Sequence, residues 1–140
     1  MRFRDYFSVK QILFSAAIVA LMIIFAFIQS DNLVKVHFED SSVQVISSRY
    51  SMDIPYADIA SAELTDLADA GEEVANSRDD DTIRTGCWSN SVWGEYHIVA
   101  DLDPTNCIVV HHKDGRIFVF NRKDNAETAK LYETLLSQLS

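Results

Sequence analysis

CIVVHHKDGRIFVF, residues 107–120, decides the fold of this chain. Two runs rich in β-branched and aromatic residues, 107–112 and 117–120, flank Lys113-Asp114-Gly115-Arg116. An Asp-Gly pair between such runs predicts a tight β-hairpin, because glycine accepts the left-handed backbone that the turn requires. Both strands are apolar on both faces near their middles, which places them in the centre of a sheet. Working outward, Asn121-Arg122-Lys123 ends the second strand. Asp124 stands three residues before Glu127, an acidic variant of the capping box. Ala129, Tyr132, Leu135, Leu136 and Leu139 then recur at helical spacing, which predicts a terminal helix packed on the sheet.

Upstream of the hairpin the same alternation recurs. Glu95–Asp101 alternates Tyr96, Ile98 and Ala100 with His97, Val99 and Asp101, and Asp103-Pro104-Thr105-Asn106 follows as a turn. Leu33–Glu39 and the run from Ser42 to Ser48 read as a hairpin, and Tyr50–Ile54 as a third short strand ended by Pro55. Ile59–Leu64 is ambiguous, and the strand is preferred. Residues 65–82 hold many acids and small residues, and the region is read as an acidic loop. Asp79-Asp80-Asp81 could ligate a hard cation, but the spacing does not match a calcium loop. Residues 83–94, IRTGCWSNSVWG, carry two tryptophans that either close the end of a barrel or form a recognition loop. The expected partner-binding residues are Arg84, Trp88, Trp93 and Tyr96.

The N-terminal stretch QILFSAAIVALMIIFAFIQS, residues 11–30, has no charge between Lys10 and Asp31. Twenty such residues as a helix span about 30 Å, which predicts a single transmembrane helix. A cleaved signal peptide is the rival reading, but the apolar run is long for one. Arg2, Arg4 and Lys10 against Asp5 predict residues 1–10 as a cytoplasmic tail and residues 31–140 as an extracytoplasmic domain of a membrane protein. Residues 31–140 hold nine lysines and arginines against twenty aspartates and glutamates, a net of −11. Such a charge excludes nucleic acid as a direct partner and disfavours anionic lipid headgroups. Cys87 and Cys107 could pair as a disulfide in an oxidising compartment.

The expected class is α+β, mainly β: the membrane helix, then an antiparallel barrel or sheet of about seven strands capped by the C-terminal helix. The order of motifs resembles the bacterial pleckstrin-homology-like (PH-like) domains. The resemblance lies in Ile54-Pro55-Tyr56-Ala57-Asp58-Ile59, in Trp93-Gly94-Glu95-Tyr96, and in DGRIFVFN (114–121) followed by an Asp-led helix. It covers residues 33–139 and implies a seven-stranded barrel with a helical plug. It does not imply phosphoinositide binding, since the first hairpin offers only Lys35 and Arg49 as basic residues.

Chemistry-bearing patterns are sparse. No phosphate-binding loop, nucleophile elbow or zinc-protease motif occurs. His97 and His111 with Asp101 or Asp103 could form a zinc set, and Cys87 with His97 a nucleophile and base, but nothing in the sequence orients either group. No cofactor, metal or catalytic residue is assigned. The expectation is a non-enzymatic interaction module that binds a partner protein or itself. The alternatives are an extracytoplasmic hydrolase or metal-dependent enzyme, and a PH-like signalling domain facing the cytosol.

Overall fold

The computed structural model describes residues 2–30, 34–80 and 82–140, with side chains in the first segment given for 9–24. The chain divides into two compact units, Met1–Asn32 and Leu33–Ser140.

The first unit is helix α1 (Arg2–Ser30). Neither glycine nor proline interrupts it, and long apolar side chains such as Ile12, Leu13, Phe14 and Leu21 stand exposed around it. Among the described residues, however, no helix is long and apolar enough to cross a membrane. This corrects the expected transmembrane helix at 11–30. The single-span membrane contact, the cytoplasmic tail at 1–10 and the extracytoplasmic placement of 31–140 followed from that span and are withdrawn with it. The side chains of Arg2, Arg4, Asp5 and Asp31, on which the sidedness rested, lie outside the described ones.

The second unit has two sheets. Strands β1 (Lys35–Phe38), β2 (Ser42–Ile46) and β3 (Ser51–Pro55) form an antiparallel sheet in that order. A short 3-10 turn, Tyr56–Asp58, leads to β4 (Ile59–Asp66), β5 (Glu72–Asp79), β6 (Ile83–Asn90), β7 (Gly94–Asp101), β8 (Asn106–His112) and β9 (Ile117–Phe120). These six pair in the order β4-β8-β9-β7-β6-β5. Helix α2 (Asn125–Leu139) ends the chain. Leu33 and Asp81, part of the expected first strand and of the acidic run, lie outside the described residues.

The hairpin of 107–120 forms as expected, with Val109 opposite Val119 and Gly115 at φ +97° in the turn. It also explains a departure from an all-antiparallel sheet. The turn after β7 carries the chain past one strand position, and β9 returns into that gap, parallel to β7 with His97 opposite Phe118. The expected barrel of about seven strands is corrected to two open sheets. Residues 67–71 must join β4 at one edge of the larger sheet to β5 at the other. Their reach is at most about 22 Å, against about 24 Å for five flat strand spacings. The sheet therefore curls, but its edge strands do not pair with each other.

The larger sheet buries both faces. One packs Val99, Ile108, Val110 and Phe120 against Val43, Val45 and Ile54 of the small sheet and Leu135 of α2. Asp124 caps α2 by accepting from the Glu127 amide at 2.7 Å. The buried stripe of α2 is Thr128 and Leu135, joined by Leu131, Tyr132 and Leu139. Leu136, one step around the helix from Leu135, stays exposed. The opposite face of the sheet buries Trp88, Tyr96, Ile98, Cys107, Val109 and Val119.

Candidate functional site

Arg84, Trp88, Trp93 and Tyr96 do come together, on this second face. Cross-strand register sets Trp88 opposite Tyr96 and Arg84 opposite Ala100. Yet Arg84 is 8%, Trp88 4% and Tyr96 0% exposed, so three of the four are core residues rather than a recognition loop. Trp93 is half-buried, its ring edge-on to Tyr96 at 5.0 Å.

What these side chains hold is the link between β4 and β5. Arg84 Nη1 donates to the Ala68 carbonyl at 3.1 Å. Asn90 Nδ2 donates to Asp69 O at 2.9 Å, and the Tyr96 hydroxyl to Ala70 O at 2.7 Å. Three consecutive carbonyls of a chain crossing an apolar face are thereby satisfied, which that crossing requires. Trp88 Nε1 donates to Thr85 O at 2.9 Å. Arg84 Nε lies 3.6 Å from the Asp79 carboxylate, and the guanidinium lies 6.0 Å from the Trp88 ring centre. Burial raises the Tyr96 phenol above its ordinary range, which keeps it a donor.

The clasp leads into a strand where the composition of residues 65–82 predicts an acidic loop. Glu72–Asp79 is β5, and it is exposed along almost its whole length. Its composition favours no strand; pairing with β6 imposes one. Two glycines permit the close approach. A Cβ on Gly71 would lie 1.9 Å from Ser89 O, and one on Gly86 would lie 2.2 Å from Asn76 O. The register shifts between Glu73 and Ala75 and again before Arg78, and Asn76 between them takes φ +52°. At the tip of the β6–β7 hairpin, Asn90 Oδ1 accepts from the Val92 and Trp93 amides, which projects Val92 at 67% exposed. The two glycines and Asn90 are the sequence signals for this end of the molecule, and neither periodicity nor composition assigns them a role.

The other candidate groups scatter. His97 pairs with Phe118, and Phe118 with Val110, so His111 projects to the opposite face from His97. His111 instead meets Glu63 at 3.3 Å on the surface. His97 Nδ1 is 2.9 Å from the Tyr50 hydroxyl, and its ring stacks on Phe118 at 5.3 Å. Burial first, then the Arg116 charge, lowers the His97 pKa, against Glu95. Cys87 sits opposite His97, but burial and Glu95 raise its thiol, away from thiolate chemistry. Cys107 is pushed up to about 12, chiefly by burial. Both cysteines are free and buried. The strand order puts β6 and β8 three spacings apart, about 14 Å, which is beyond the reach of a disulfide.

Asp80 Oδ1 accepts from the Thr82 amide and hydroxyl and from the Ile83 amide, contacts that lower its pKa and commit it to its own turn. Among the described residues no three His, Cys, Asp or Glu side chains are set to hold a metal. No family model, curated protein or solved structure matches this chain.

Proposed function

We propose that residues 33–140 act as a non-enzymatic protein-binding module, and that the contact lies at the β5 edge and the β6–β7 hairpin tip. One observation carries this reading. The clasp of Arg84, Asn90 and Tyr96 commits three side-chain donors to fixing the 67–70 link, beside which β5 presents Val74 and the hairpin tip Val92 as exposed apolar positions. Binding residues on loops and edges held by a buried scaffold are a common arrangement. The raised Cys87 thiol, and the separation of His97 and His111 onto opposite faces, favour binding over catalysis. Kinship with the PH-like domains remains part of the proposal. It rests on the motif order and on the capped helix after DGRIFVFN.

The test is a photo-crosslinking residue at Val92 in the full chain, compared with one at exposed Leu136. The reading expects discrete protein adducts from position 92 and none from position 136. Equal or absent labelling at both would overturn it.

A further inference from the structure

We propose that the free edge of β5 at Glu72–Ala75 takes up a short, basic, extended segment of a partner protein as an additional strand of the larger sheet. This rests on the binding-module reading and names its mode. β5 is the terminal strand of the sheet and pairs only with β6, so its outward backbone donors and acceptors have no ladder partner among the described residues. All four residues of 72–75 are exposed. An unpaired edge of this kind is a template for strand addition, in which the backbone supplies affinity and alternate side chains supply specificity.

The charge selects the occupant. Glu72 shares a cross-strand row with Ser89 and Glu95, and Glu73 projects to the other face of the strand. An added strand with lysine or arginine at successive positions on each face would meet a carboxylate on either side, with an apolar residue beside Val74. A second copy of this chain is a poor occupant, because pairing two such edges gathers four glutamates into one short ladder. The irregularity at Val74, between Glu73 and Ala75, bends the edge within the site, and the left-handed Asn76 ends it. They limit the added strand to about four residues, and they discourage open-ended association.

The probe is a Lys-Lys-Val-Lys-Lys-Val peptide (the Lys-Val peptide), which carries lysine on both faces of an extended strand, against Glu-Glu-Val-Glu-Glu-Val (the Glu-Val peptide), each added to the full chain. The Lys-Val peptide is expected to slow amide exchange at residues 72–75. The double substitution Glu72→Lys, Glu73→Lys is expected to weaken its binding about tenfold and to favour the Glu-Val peptide, from a few modest exposed charge pairs acting together. Should the double substitution perturb folding, Glu72→Gln with Glu73→Gln gives the same direction at smaller size. Unchanged exchange at 72–75, or affinity indifferent to these charges, overturns the proposal. If adducts at Val92 persist in that event, strand addition alone has failed; if they are absent too, the module reading has failed with it.

Discussion

At the scale of single residues, the side chains expected to form a binding surface are mostly buried and hold the 67–70 link instead. Trp88 was visible in the sequence as a large aromatic, but whether it faced solvent depended on the 67–70 link, which no local pattern announced. Trp88→Ala should cost about 3–5 kcal/mol, as expected for an aromatic removed from a packed site, and urea unfolding would measure it. Tyr96→Phe leaves the Ala70 carbonyl without its donor and should cost about 1 kcal/mol. His97 supplies a pH signature. Burial and Arg116 lower its folded-state pKa. The unfolded chain therefore takes up the proton first as pH falls, and stability declines from about pH 6.5 downward until the folded-state pKa is passed. Unfolding free energies at pH 7.5 and 5.5 should differ less in His97→Gln than in the parent. Equal differences in the two proteins would remove His97 as the cause.

At the scale of elements, α2 and the 107–120 hairpin were legible because their signals are local: a cap, a 3.6-residue period, an Asp-Gly turn. β5 was not, because its acidic and small residues carry no strand preference, and long-range pairing decides its conformation. The information lay in Gly86, whose φ of +102° and closeness to Asn76 O admit no side chain. Gly86→Ala should destabilise by at least about 2 kcal/mol through backbone strain and the forced displacement of Asn76, seen as a lowered denaturation midpoint. Asp124→Ala, which removes the α2 cap, should cost about 1 kcal/mol. Gly115, also at positive φ, has open space around it; strain there comes from the backbone alone, so Gly115→Ala should cost less than Gly86→Ala.

At the scale of the whole molecule, alternating apolar patterns identified a β-rich body but not how its strands close. Period-two patterning tells which face of a strand is buried and is silent on strand order, so a barrel and two open sheets read alike. The insertion of β9 between β7 and β8, and the link that carries the chain from β4 to β5 across a curled face, are decisions of topology. They leave β5 as a terminal strand paired only with β6, and the functional reading depends on its free edge. Amide hydrogen exchange on the full, unliganded chain tests it most directly. Alternate amides of Glu72–Asp79 should exchange far faster than those of central β8 and β9, whose protection should approach that of global unfolding. Protection of every β5 amide to the level of β8 would mean that the edge is already paired, and would contradict the account.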